Sequence, residues 1–166
     1  MSDSRAEETP SQYGRATGDL HLASQICFAV YSAAHAFNRI YKPLLDSLGL
    51  TYPQYLVLLV LWEEDGQTMK AIGQRLYLDS GTLTPLMKRL EGAGLVRRAR
   101  DESDERLMRI TLTDAGRALR HKALPFPEEI LCAADRSPER LRTLRDEIIE
   151  LRDALHSHAA PERGPS

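Results

Sequence analysis

The sequence predicts a mostly α-helical protein with one small β-hairpin, and three observations predict it. Apolar residues recur at steps of three and four near both ends of the chain, and capping and stop signals cut the centre into short helical segments. Near residue 95 the apolar period shortens from 3.6 to 2. Bulk composition agrees: 166 residues, 42% apolar and 28% charged, suit one globular domain with helical extensions. The longest apolar stretch, YLVLLVLW at 55–62, is far short of the roughly 20 residues that span a bilayer, so no membrane partner is expected. Residues 1–18 are polar and lack the apolar centre of a secretory signal; they read as a disordered leader, and 159–166 as a disordered tail. A cytoplasmic location is expected.

Each element follows in order. Over 20–48, Leu22, Ile26, Val30, Ala33, Phe37, Ile40, Leu44 and Leu48 keep helical spacing until Gly49 ends the run. Such a helix is about 40 Å long, more than a compact domain of this size needs, and suits a dimerisation arm. Thr51-Tyr52-Pro53-Gln54 is a capping-box start for a helix running to about Glu63. A short helix over 68–75 follows, with Met69, Ile72 and Leu76 inward; Tyr77-Leu78 turns the chain, and Asp79 or Ser80 caps a helix ending at Gly92 or Gly94. Strands are expected at 95–99 and 107–112 around a charged loop. Thr113-Asp114 caps another helix, interrupted at Pro125-Phe126-Pro127, and Ser137-Pro138-Glu139 opens a last amphipathic one carrying Leu141, Leu144, Ile148, Leu151 and Leu155.

Three short helices and a hairpin make a winged helix-turn-helix. The predicted organisation is a DNA-binding domain at 51–112 between two parts of a helical dimerisation region, 19–50 and 113–158. Charge points to the same place. The net charge is −2, yet residues 66–120 hold 11 Lys/Arg against 7 Asp/Glu, which locates a phosphate-facing surface mid-chain. On a wheel of 79–93, Leu83, Leu86, Met87 and Leu90 share one face; Gly81, Thr84, Pro85, Lys88 and Gly92 lie opposite, with Thr82 and Arg89 on a flank. Small residues, hydroxyls and two cations suit a helix entering the major groove of double-stranded DNA, with Ser80, Thr82, Thr84, Pro85, Lys88 and Arg89 as contacts. An amphipathic surface helix with a polar back has the same pattern. Arg97, Arg98, Arg100, Arg106 and Arg109 crowd the hairpin, whose slim tip suits a minor groove. Arg106 is the expected inserted residue, its guanidinium held by Asp104 or Glu105.

Cys27 and Cys132 lie 105 residues apart with no CxxC and no metal-ligand spacing, so no zinc site or other metal is expected. They read as inert buried thiols or as a redox pair. Cys27 has Tyr31, Tyr41 and Tyr52 within 25 residues, and a phenol can donate a hydrogen bond to a thiolate and lower its pKa. Tyr41 is 14 residues along the same predicted helix, roughly 21 Å away, so the two meet only if the first helices of two subunits cross antiparallel.

The run LYLDSGTLTPLMKRLEGAGLVRRARDESDERLMRITLTDAGR (76–117) resembles the MarR family of dimeric winged-helix regulators. QICFAVYSA (25–33), YKPLLDSLGLTYPQYLVLLVLWE (41–63) and LYLDSGTLTPLMKRLE (76–91) are most similar to its organic-hydroperoxide-sensing subgroup, OhrR. The likeness covers roughly residues 20–120 strongly and the C-terminal helices loosely. It implies a homodimeric repressor, bound to a pseudo-palindromic operator when reduced and released when an organic hydroperoxide oxidises Cys27. It also implies that Tyr41 and Tyr52 of the partner chain hydrogen-bond that cysteine. Some members carry a second cysteine, here matching Cys132, that resolves the sulfenic acid into an intersubunit disulfide.

No cofactor is expected, and no Ser/His/Asp, Walker or GxGxxG pattern supports an enzyme. Three other readings remain: a regulator of the same family released by a small aromatic ligand; a thiol peroxidase, against which the lack of a Pro/Thr/Arg set around Cys27 counts; and a structural helical dimer without DNA affinity, against which the arginine-rich wing counts.

Overall fold

The computed structural model describes residues 21–159 except Glu102, Ser103 and Glu105. The expected leader, residues 160–166 of the expected tail, and Glu105 as a holder of Arg106 lie outside the described residues. Ala159, expected in the tail, is the last residue of a helix. The described residues fall in two compact units parted between Phe37 and Asn38.

The first unit holds a 3₁₀ turn, Leu22–Ser24, and the start of α1 (Ile26–Asp46). One unbroken helix over 20–48 is therefore corrected: Gln25 is extended (φ −90°, ψ 116°) and separates turn from helix. Ile26, Phe28, Val30, Tyr31 and Phe37 are exposed.

The second unit is built on α2 (Tyr52–Glu63), with α3 (Met69–Leu76) and α4 (Ser80–Gly92) beside it. The end of α1 enters this unit's core through Leu45 and stops where Gly49 takes φ +67°, a left-handed conformation that glycine adopts without a Cβ clash. The Thr51 N–H donates to Gln54 Oε1 at 2.7 Å, the reciprocal arm of the expected capping box. α2 is apolar nearly all round and buries Gln54, Tyr55, Val57, Leu58, Val60 and Leu61, as a helix surrounded by others must. Ile72 of α3 and Leu83, Met87 and Leu90 of α4 close on it. Side-chain oxygens cap the next helices: Thr68 accepts from the Ala71 N–H at 3.1 Å, and Asp79 from the Thr82 N–H at 2.9 Å.

β1 (Val96–Arg100) and β2 (Met108–Leu112) form an antiparallel hairpin with Val96 opposite Leu112 and Arg98 opposite Ile110. Both strands begin one residue later than expected. The Leu95 N–H is spent on the Leu90 carbonyl at the end of α4, and the Leu107 N–H closes the loop onto the Asp104 carbonyl. Ile110, Leu112 and Val96 are buried while Arg109 is exposed, the period-2 pattern of a half-buried ribbon. The outer edge of β2 is covered as well: the Ile110 N–H donates to the Gln67 carbonyl at 2.8 Å, and Thr68 bridges to Arg109.

α5 (Asp114–Ala123), capped by Thr113, seats against the root of the hairpin. A Cβ on Gly116 would lie 2.1 Å from the Leu95 carbonyl oxygen, so only glycine allows this approach. The proline interruption separates α5 from α6 (Phe126–Ala134), and α7 (Pro138–Ala159) follows. Among the described residues no helix is long and apolar enough to cross a membrane.

Candidate nucleic-acid interface and thiol site

On α4 the apolar face is buried and the other is open: Ser80, Gly81, Thr82, Pro85, Lys88 and Arg89 are exposed. Two of the expected contacts are partly engaged by the helix itself. Thr84 is half-buried and its hydroxyl donates to the Ser80 carbonyl at 2.7 Å; the Thr82 hydroxyl donates to Asp79 Oδ2 at 3.0 Å. Both oxygens keep lone pairs but have spent their protons. The Thr82 N–H and hydroxyl hold the Asp79 carboxyl below the usual carboxylate range, so the cap stays anionic.

In the wing, Arg106 points into solvent, its side chain 89% exposed, and Asp104 grips it as expected. Arg106 Nε donates to Asp104 Oδ1 at 3.0 Å and Nη2 to Oδ2 at 3.2 Å, a bidentate pair that fixes the guanidinium plane. These bonds hold the Asp104 carboxyl below its usual range. The crowding of arginines at the tip is corrected for two of them. Arg98 Nε turns back to Glu91 Oε2 at 2.7 Å. Arg109 leans inward, donating from Nε to Asp101 Oδ2 at 2.7 Å and from Nη1 to the Gly66 carbonyl. Asp101 is buried at the foot of the loop and accepts the Asp104 N–H at 3.3 Å through its other oxygen. A second carboxylate, Asp65, accepts the Leu112 N–H at 2.8 Å and Arg117 Nη1 at 2.5 Å. Arg109, Asp101 and Asp65 thus clamp the wing to the turn after α2 and to α5. Sequence reading missed this role because the partners of Arg109 lie 8 and 43 residues away.

Cys27, in the first turn of α1, and Cys132, on α6, are free and exposed. Tyr31 packs edge-on against His35 at 4.3 Å between ring centroids. Tyr41 and Tyr52 are half-buried and lie together, centroids 4.9 Å apart, with the buried Tyr55 at 5.8 Å from Tyr41. Burial, then the neighbouring Tyr52 and Tyr55, push the Tyr41 phenol up to about 12. Burial raises Tyr52 as well. A phenol is already a protonated hydrogen-bond donor at physiological pH, and these shifts move both further from ionisation. Tyr55 continues the cluster to Trp62 and Phe126, and Trp62 Nε1 donates to the Gly116 carbonyl at 2.9 Å. Tyr55 went unnoticed in the sequence, although its spacing of three from Tyr52 on one helix was a usable signal. Among the described residues no group of three His, Cys, Asp or Glu is placed to hold a metal ion.

A three-helix unit with a capped recognition helix and an arginine-tipped, clamped wing defines a winged helix-turn-helix DNA-binding regulator. Comparison with known proteins narrows this. The profile of the family described as "Transcriptional regulator SarA/Rot" matches residues 39–123. The HTH-type transcriptional regulator TtmR of Methylorubrum extorquens (strain PA1) is 54% identical over 145 residues, covering 87% of this chain and 74% of that protein. The organic hydroperoxide resistance transcriptional regulator of Bacillus subtilis (strain 168) is 47% identical over 137 residues, covering 82% and 93%. Among solved structures, reduced AbfR bound to DNA superposes with a TM-score of 0.68 at 40% identity, covering 81% of this chain and 93% of that one. AbfR has also been solved overoxidised on DNA and in a disulfide form, the latter at a TM-score of 0.57 and 40% identity, covering 82% of this chain and 90% of that one. The chain belongs to the MarR family of winged-helix transcriptional regulators.

Proposed function

We propose that this protein is a homodimeric, cytoplasmic repressor that holds a pseudo-palindromic operator while reduced and lets go when an organic hydroperoxide oxidises Cys27. The observation that carries the reading is the exposed thiol of Cys27 in α1; Tyr41 and Tyr52, which lie side by side as protonated phenols, are the donors we assign to it from the partner protomer. Similarity to a hydroperoxide-resistance regulator, and to a DNA-binding protein solved in reduced, overoxidised and disulfide forms, supports the same chemistry.

On the DNA, Ser80, Thr82, Thr84, Pro85, Lys88 and Arg89 face the major groove, and Arg106, steadied by Asp104, enters the minor groove. Residues 51–112 do the reading, while 19–50 and 113–158 supply the dimer contacts; exposed Leu144, Ile148, Leu151 and Leu155 on α7 suit that task. Tyr41 and Tyr52 of one protomer donate to the Cys27 thiolate of its partner. The thiolate attacks the peroxide: an S–O bond forms, the O–O bond breaks, and the departing alkoxide takes up from water the proton the thiol released on ionising, leaving as the alcohol. Cys132 of the other protomer then displaces water from the sulfenic acid, giving an intersubunit disulfide. Strain around the dyad changes the spacing of two recognition helices that must engage both half-sites together.

A mobility shift with operator DNA, before and after organic hydroperoxide, tests this. Wild type releases; Cys27→Ser binds but ignores peroxide; Cys132→Ser gives no band of doubled mass on a non-reducing gel. Retained release in Cys27→Ser sinks the proposal and favours release by a small aromatic ligand.

A further inference from the structure

The turn between α3 and α4 contains a feature that neither DNA contact nor thiol chemistry uses. Tyr77 is left-handed (φ 55°, ψ 37°), a conformation that a bulky L-residue disfavours and that glycine would take freely. Its ring is half exposed, yet it is held by the far end of α7. The Arg152 guanidinium carbon stands 4.6 Å from the ring centroid, and the His156 ring centroid lies at 4.9 Å. His156 is in turn steadied on its own helix by Nδ1, 2.9 Å from the Arg152 carbonyl. Beside these rings a cavity of about 660 Å³, lined by Met69, Gly73, Leu78 and Leu83 with His156, leaves α7 gripping the turn by its side chains rather than by a packed apolar seam.

We infer that Tyr77 is a positioning residue for DNA binding. Its ring, clasped by Arg152 and His156, ties α7 to the turn that aims the recognition helix. A cation over an aromatic face is favoured when the ring is oriented, and here the left-handed backbone supplies that orientation. Asp79 caps α4 two residues after Tyr77, so the ring and the first turn of α4 share one short rigid link. α7 is 22 residues long, about 33 Å at helical rise, and starts just beyond the helix that carries Cys132. A disturbance at the start of α7 therefore has a stiff path to α4. This last step rests on the redox reading above; the aiming role does not.

The test uses full-length dimer and a duplex selected from random sequence by the reduced wild-type protein. Tyr77→Gly removes the ring and relieves the backbone, so its melting midpoint should stay within a few degrees of wild type. Its operator affinity should nevertheless fall roughly tenfold, about 1.4 kcal/mol. The slope of affinity against salt should not change, since no phosphate contact is lost. Tyr77→Phe should restore affinity, and Arg152→Gln should weaken it a few-fold. Wild-type affinity in Tyr77→Gly overturns the inference. So does a Tyr77→Phe variant as weak as Tyr77→Gly with a salt slope lower by about one, because the hydroxyl would then be touching phosphate. Peroxide added to wild type reads the redox proposal separately, since its failure there leaves the reduced-state comparison standing.

Discussion

On α4, Leu83, Met87 and Leu90 are at most 2% exposed, whereas on α7 Leu144, Ile148 and Leu155 are 45–61% exposed, although both helices show apolar residues at steps of three and four. The winged lobe buries its apolar stripe within one chain and ties its loops with charged clamps such as Asp101–Arg109. α7 has no buried residue and meets the lobe through rings at its far end. Amphipathic spacing thus specifies that a helix has a partner without specifying which one. The proposed function would divide along the same line, with groove reading on the rigid lobe and switching on helices whose contacts can be exchanged.

The comparison is broken most sharply inside α4. Met87→Ala, at a fully buried site, should lower stability by about 2–5 kcal/mol in denaturant melts, with loss of DNA binding. A cost under 1 kcal/mol would show that the lobe is not the rigid half. On α7, Ile148→Ser should weaken self-association at least tenfold by analytical ultracentrifugation, while the circular dichroism of the lobe is retained. Unchanged association removes α7 from the dimer contacts.

Asp101→Asn should cost about 1 kcal/mol, because the partner Arg109 is half-exposed and can regain water. Proteolysis should then begin in the wing, before the helices are cut. The last effect is confined to alkaline pH. Tyr41 is raised when folded, so the stability it contributes is complete below its ordinary value near 10 and disappears as pH climbs through about 12. Melting midpoints should fall across that window, and less steeply in Tyr41→Phe. A phenol absorbance titration in which no tyrosine titrates late would refute the shift.

Much of the site was legible because recognition chemistry is local. Asp79 and Thr82 are three residues apart, Asp104 and Arg106 two, and the α4 wheel needs only 3.6-residue periodicity. Arg109 was misread as a tip arginine for the opposite reason: its alternation along β2 was visible, but the buried carboxylate and the Gly66 carbonyl that draw it in come from elsewhere in the chain. Cys27 drew attention through its sequence neighbours, whereas the convergence of Tyr41, Tyr52 and Tyr55 depends on α1 returning against α2.

The sequence by itself determined the elements, their caps and the polar face of α4, since these depend on hydrogen bonds and side-chain directions spanning a few residues. Only the tertiary structure decided which charges are clamps, such as Arg109, and which, such as Arg106, stand in solvent. It also decided which phenols are desolvated, and that Tyr77 is held by α7. Such properties depend on distance and dielectric between groups remote in the chain, and linear order does not encode either.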